Sequence, residues 1–435
     1  MKDIYINQRN LLNQPIDIYK RKELLIKLKK LIKANEENIF KALLNDLNKH
    51  KNEAFVTEIA LIYKEIDFAI KNIKKWTKWN KVKTPFYLFG SKSQTIFRPL
   101  GQVLIISPWN FPIYLTISPL ISAIAAGNRI ILKTSEISAY SSEFLINLIN
   151  QNFDSNIIYC APSDLETSKW LLDQKFDLIF FTGSTSVGKI VASKAAEKLT
   201  PTILELGGKC PTIIDKNTNL DYSFENIFLN KMINFGQVCI APDFLLVHND
   251  IKDLVIEKLT LLNKTLINKQ EIASIINQNH KNRLNELSNN LLQEAQLVVF
   301  EASVDSKIME EEIFGPFLPL ITYKNDQELI NFLTKIQKPL AYYVYSKDKK
   351  FIKNVFKYAQ TGTFSINDSL SFISNYNLPF GGIGNSGHGK SRGYAGFKSF
   401  SYEQSYYKKW LLKNIKLQFA PHTENKLKWI KKLFK

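Results

Sequence analysis

Apolar residues recur at helical spacing through residues 1–80. Leu24, Leu25, Leu28, Leu31 and Ile32 share one face, with lysines opposite. Ile39, Leu43, Leu44 and Leu47 predict a second helix, and Ile59, Ile62, Ile66 and Ile70, running towards Trp76, a third. Between Lys81 and Arg98, Thr84-Pro85 and Gly90 break the rhythm, so turns and extended chain are expected there, as an arm or hairpin. From Gly101 the texture changes. Val103–Ile106, Ile130–Leu132, Ile157–Tyr159 and Leu178–Phe181 are short apolar runs, as strands buried on both faces should be. Helical stretches at Pro119–Gly127 and Ser141–Asn150 alternate with them. That alternation predicts an α/β fold with a parallel sheet, which binds ligands at the carboxyl ends of its strands.

The second half repeats the texture. Strands are expected at Phe244–Val247, Leu297–Phe300, Leu318–Ile321, Leu340–Tyr345 and Thr363–Ile366, and helices at Lys252–Ile267 and Asn279–Leu297. Leu378–Gly396 is a glycine-rich loop of the kind that approaches a ligand or other backbone closely. Lys426–Lys435 sets Leu427, Ile430 and Leu433 or Phe434 among lysines. This basic amphipathic helix suits either a membrane surface or the body of the protein.

Val103–Gly127 has no charged side chain and the length of a membrane span. Pro108, Pro112 and Pro119 would break a single helix, so strand, turn and helix fit better. The N-terminus, Met1-Lys2-Asp3-Ile4, lacks an apolar signal core. The net charge is +18, from 58 Lys and Arg against 40 Asp and Glu. No nucleic-acid motif accompanies it, so a lysine-rich solvated surface is the preferred reading and no nucleic-acid partner is expected. Three irregularly spaced cysteines, Cys160, Cys210 and Cys239, argue against a disulfide framework or zinc cluster. They fit a reducing compartment, and the expected location is the cytoplasm with no metal site.

Candidate chemistry clusters at the expected strand ends. In Ser107-Pro108-Trp109-Asn110-Phe111-Pro112 the prolines stiffen Asn110, whose amide can donate to an oxyanion; a rigid surface turn reads equally well. Lys133-Thr134-Ser135-Glu136 can grip ribose hydroxyls or be a solvated loop. Phe181-Thr182-Gly183 through Gly188-Lys189, before a helix opening at Ile190, is a moderate dinucleotide signal that a tight strand–helix turn also satisfies. Glu205 lies among apolar neighbours before Gly207 and Gly208. Burial there would suit it as a general base, unless loop N–H groups satisfy it. Cys239, in Asn234–Asp243, is a candidate nucleophile, although a lone cysteine is more often a small buried hydrophobe.

Six stretches together resemble the aldehyde dehydrogenase superfamily, and its class 3 in particular. They are Pro108-Trp109-Asn110, Lys133 with Ser135-Glu136, Phe181–Gly188, Leu204–Lys209, Gly236-Gln237 with Cys239, and Glu312–Pro316. Cys239–Asp243 and Leu378–Gly387 carry the class 3 likeness. Thr134, Val238 and Phe372 depart from the usual proline, threonine and histidine.

The resemblance implies a Rossmann-like cofactor domain (1–80 and 99–207), an α/β catalytic domain (208–398) and a small oligomerisation arm with the tail (81–98 and 399–435). It implies a homodimer oxidising medium- or long-chain aliphatic or aromatic aldehydes to acids. Cys239 would attack the aldehyde, and Asn110 with the Cys239 N–H would hold the oxyanion. Hydride transfer to the nicotinamide leaves a thioester, which water activated by Glu205 hydrolyses. The implied cofactor contacts are Ser107, Trp109, Lys133, Glu136, Gly183, Ser184, Thr185, Ser186, Val187, Gly188, Glu312 and Phe314. Glu136 would repel a 2′-phosphate, so NAD is preferred, with NADP open. Two rivals are a dehydrogenase passing the acyl group to coenzyme A and a non-catalytic basic protein binding membrane or nucleic acid. Glu205 argues against the first and the six motifs against the second.

Overall fold

A strand covered by helices on both faces has no solvent side to alternate with, and the apolar runs become two six-stranded sheets. The computed structural model describes the chain except residues 267, 411–415 and 435, so Ile267 and Lys435, the expected ends of two helices, lie outside the described residues. The first sheet runs Gly387–His388, Thr202–Leu206, Leu178–Gly183, Gln102–Ile106, Arg129–Lys133 and Ile158–Ala161. All its strand pairs are parallel except the first, where Gly387 lies opposite Glu205. The second sheet runs Val298–Glu301, Phe317–Tyr323, Phe244–His248, Pro211–Ile214, Ala341–Tyr345 and Thr363–Ile366, all parallel.

The segment that mimics a membrane span is a buried strand, a turn and the helix Tyr114–Ala126. That helix begins five residues before the expected Pro119, and encloses the proline. Among the described residues no helix is long and apolar enough to cross a membrane. Leu24, Leu25, Leu28 and Ile32 are buried as expected, and so are Ile59, Ile62 and Ile66. The third face then continues through Ala69 and Ile73 to Trp76, leaving Ile70 half-buried, while Leu44 is half exposed. The first and third of these helices pack on Tyr114–Ala126 and the second on the helix Ala139–Asn152, which joins them to the core of the first sheet.

Beyond the expected elements the structure has the helices Leu165–Leu172, Leu220–Met232, Asp326–Leu333 and Lys349–Tyr358 and the strand Ser401–Lys409; of these, Asp326–Leu333 and Lys349–Tyr358 carry a clear apolar face, burying Leu329, Ile330 and Leu333 in one and Phe351 and Val355 in the other. The expected helix Asn279–Leu297 stops at Ser288, capped by Asn289 in the left-handed conformation. From Gly387 the glycine-rich loop returns to the first sheet and its helices, through the Gly387 pairing and the helix Gly393–Ser399, which packs against Tyr114–Ala126 and ends three residues past the expected loop.

Ser91–Pro99 pairs with Asn80–Lys81 on one side and Ser401–Lys409 on the other. This three-stranded antiparallel sheet is separate from the two parallel sheets, and its Phe97 packs against the core, 5.8 Å from the Phe397 ring. The outer strand and the C-terminal helix Glu424–Phe434 are almost wholly exposed, and the Phe434 ring lies 5.0 Å from Tyr87.

Candidate active site

The strand Leu178–Gly183 turns sharply at Gly183 and the next helix starts at Thr185, earlier than the Ile190 expected from its apolar pattern. Ser184 caps it, accepting from the Val187 N–H. That helix N-terminus opens on a cavity of about 460 Å³. Trp109, Asn110, Thr182–Ser186, Glu205–Gly207, Cys239, Glu312 and Phe314 are among its walls. A helix N-terminus presents unpaired N–H groups and a partial positive charge.

Glu312 reaches the cavity from the turn before Phe317–Tyr323. A Cβ on Gly207 would sit 1.8 Å from its Oε2, so the carboxylate occupies space that only glycine leaves free. Its Oε1 is buried without a hydrogen-bond partner. Burial, with Asp243 nearby, pushes the Glu312 carboxyl up to about 8. Lys209 ties this turn to the rest of the site, since its Nζ meets Asp243 at 2.6 Å and donates to the Ile308 and Glu311 carbonyls.

Cys239 sits on a loop after Met232 whose backbone is forced out of helical geometry. Asn234 and Phe235 have φ of 48° and 52°, and Gly236 has φ of 77° with Gly315 O only 2.3 Å from where a Cβ would lie. The Gln237 side chain pins the loop by donating to Ser274 O at 2.9 Å and accepting from Ile276 N at 3.0 Å. Asn110, on the turn after Gln102–Ile106, donates from Nδ2 to Gln237 O at 3.0 Å. The amide therefore touches the loop that carries the sulfur.

Behind Cys239 lies a second cavity of about 240 Å³, mostly apolar, walled by Leu61, Phe111, Leu115, Phe180, Ile373 and Phe380 among others. Cys239 and Glu205 line both cavities. Neither Glu205 oxygen has a hydrogen-bond partner. Burial pushes this carboxyl up to about 7, although Ser391, Arg392 and Lys390 pull the other way. The Cys239 thiol is pushed up to about 12 by burial, reinforced by the Glu312 and Glu205 carboxylates and opposed by Arg392. Cys160 and Cys210 are fully buried, as inert core thiols should be.

Ten of the expected site residues therefore converge on the larger cavity. Ser107, Lys133, Glu136, Val187 and Gly188 are not among its walls. Lys133 and Glu136 pair at 3.2 Å at the carboxyl end of the neighbouring strand, and Ser107 N donates to Lys133 O. Val187 is exposed, and Gly188 lets the helix close onto Leu206.

Sequence reasoning missed His280 and Arg283, which line the cavity from the helix Gln278–Ser288. The His280 ring lies 4.8 Å from Trp109, and Arg283 donates to the Glu312 and Ile313 carbonyls. Nothing in their local spacing marks them. Of the three departures, Val238 lines the apolar cavity, Phe372 stacks on Phe380 at 6.4 Å, and Thr134 is buried with its hydroxyl unpartnered. Among the described residues no group of three or more His, Cys, Asp or Glu could hold a metal ion.

The family model described as the aldehyde dehydrogenase family matches residues 13–406. The chain is 41% identical over 451 residues to the 4,4'-diaponeurosporen-aldehyde dehydrogenase of Staphylococcus aureus, covering 97% of this chain and 96% of that protein. It is 36% identical over 432 residues to the aldehyde dehydrogenase family 3 member A2 of Rattus norvegicus, covering 93% and 87%. A solved structure of Staphylococcus aureus AldH in its substrate-bound state superposes with a TM-score of 0.95 at 39% identity, covering 100% of this chain and 99% of that one.

Proposed function

This chain belongs to the aldehyde dehydrogenase family and is an aldehyde dehydrogenase, and from that premise we propose that it oxidises an apolar aldehyde to its acid through a thioester on Cys239. The observation that carries the reading is the convergence of Cys239 and Glu205 on the wall between two cavities, one beside a helix N-terminus and one apolar. Such a wall lets one sulfur meet a cofactor on one side and an aldehyde chain on the other.

The residues of the larger cavity fit a nicotinamide dinucleotide. The helix N-terminus at Thr185 suits a pyrophosphate, the unpartnered Glu312 Oε1 suits a ribose hydroxyl, and Trp109 and Phe314 offer aromatic walls. Ser107, Lys133 and Glu136, one strand further along the sheet edge, would serve the adenosine ribose, with Glu136 favouring NAD over NADP. When bound, the cofactor would supply the hydride acceptor and a positive charge.

The Cys239 thiol gives its proton to solvent, and the resulting thiolate attacks the carbonyl carbon while Asn110 Nδ2 and the Cys239 N–H donate to the oxygen that becomes negative. Glu205, with both oxygens unpartnered, takes a proton from water, and the hydroxide opens the thioester to the acid. An ionisable carboxylate with free lone pairs favours water over coenzyme A as acceptor. The apolar cavity supports a medium- or long-chain aliphatic or aromatic aldehyde.

We assign residues 1–80 and 99–207 to cofactor binding and 208–398 to catalysis. The exposed three-stranded sheet would be the arm of a homodimer. Exposed Leu427, Trp429 and Phe434 among lysines support contact of the tail with a membrane surface, and the free thiols suit a reducing cytoplasm.

The test is Cys239→Ala. It should lose aldehyde-dependent NADH formation with hexanal and benzaldehyde while still binding NAD by fluorescence titration. Retained turnover would refute the assignment.

A further inference from the structure

Lys49 and Glu58 form an ion pair of 2.7 Å with both side chains wholly enclosed. A buried pair seldom adds stability over apolar residues of the same volume, so its geometry asks for another explanation. Lys49 Nζ also lies 3.4 Å from the Asn110 carbonyl oxygen, as donor, and 4.2 Å from the Phe111 ring centroid. The second oxygen of Glu58 accepts from the N–H groups of Ile113 at 2.9 Å and Tyr114 at 3.2 Å, where the helix Tyr114–Ala126 begins. One pair thus grips both ends of the five-residue turn 110–114.

Glu58 is delivered by a π-helical turn, Phe55–Ile59, set between the α-helices Lys51–Ala54 and Ala60–Trp76. Such turns are rare and recur at functional sites. One turn earlier, Glu53 accepts from Asn234 N at 2.7 Å, and the Asn234 side chain donates to the Asn110 carbonyl at 2.8 Å. The same short N-terminal stretch therefore holds the Asn110 turn and the left-handed start of the Cys239 loop. Lys49, Glu53, Glu58 and Asn234 do not line the larger cavity, whereas Asn110 does.

We propose that the buried Lys49–Glu58 pair is a positioning device that fixes the Asn110 turn, and so sets where the Asn110 amide stands relative to Cys239. This rests on the reading of Asn110 as the oxyanion donor. Donors that must stabilise charge only as it develops have to be held in advance by their surroundings, and an error of an ångström is costly. A fixed charge pair holds the turn through four contacts that an apolar replacement of the same size cannot make.

The test is a double-mutant cycle on the full chain, with hexanal and NAD. Lys49→Met/Glu58→Gln removes the charges together, so neither is left buried alone. The expected result is a fall in kcat of about tenfold or more, with the KM for NAD within about twofold of the unaltered enzyme. In an Asn110→Ala background the same pair of changes should lower kcat by less than about twofold, because the donor to be positioned is already gone. Glu58→Asp, which keeps the charge but shortens the reach, provides the same comparison if the double variant does not fold.

A folded variant with unaltered kcat overturns the proposal. So does an equal loss with and without Asn110, which is what a merely structural role gives. If Asn110→Ala alone leaves kcat unchanged, the oxyanion reading fails first, and this inference with it.

Discussion

Glu205→Gln isolates the step in which the thioester is hydrolysed. Burial raises the Glu205 carboxyl from an ordinary 4.5 to about 7. A group titrating near 7 is about 10% ionised at pH 6 and about 90% at pH 8. If its carboxylate deprotonates the attacking water, the rate of thioester hydrolysis should rise roughly ninefold between those pH values. The assay is stopped-flow NADH formation. The unaltered enzyme should show steady turnover at pH 8, and Glu205→Gln a burst of about one NADH per site followed by near-arrest. The stability consequence has the opposite sign. A carboxyl raised in the folded state stabilises that state below its unfolded value, and the contribution is lost as pH rises through about 7. The shift corresponds to about 3 kcal/mol, so Glu205→Gln should gain up to that much relative to the unaltered enzyme between pH 4.5 and pH 8 in urea unfolding. Steady turnover by Glu205→Gln, or a hydrolysis rate flat from pH 6 to pH 8, would refute the reasoning.

Other outcomes follow from the same geometry. Asn110→Ala should lower kcat on the order of 10²- to 10³-fold while leaving NAD affinity intact, as steady-state kinetics would show. Gly207→Ala places a Cβ 1.8 Å from Glu312 Oε2 and must displace that carboxylate, so the KM for NAD should rise severalfold in a folded protein. Gly236→Ala conflicts with both a φ of 77° and the Gly315 carbonyl, and should lower soluble yield or thermal midpoint as well as activity. Without cofactor, Cys239 held at about 12 should react slowly with iodoacetamide at pH 7, about tenfold faster per pH unit above it. Labelling of Cys239 that ignores pH, followed by mass spectrometry, would contradict that environment.

Parts of this enzyme were written locally. Apolar runs such as Val103–Ile106 and Leu178–Phe181 announce buried strands by themselves, because a strand sealed on both faces tolerates no polar alternation. The turn at Gly183, the prolines around Asn110 and the glycines after Glu205 are likewise short-range features with local physical meaning. Strands and helices without a clean period, such as Ser401–Lys409 or Leu220–Met232, left no such mark. Their side chains answer to partners far away in sequence.

The sequence by itself determined the α/β texture, the candidates for the reactive groups and, through six motifs, the family. Only the tertiary structure decided that Cys239 and Glu205 share one wall between two cavities, that His280 and Arg283 join it from a distant helix, and that Lys49 and Glu58 clasp the Asn110 turn. Separation is the reason. Lys49 and Asn110 are 61 residues apart, and Glu53 and Asn234 are 181 apart. No local pattern encodes such contacts, which exist only once the chain has folded and its turns have met.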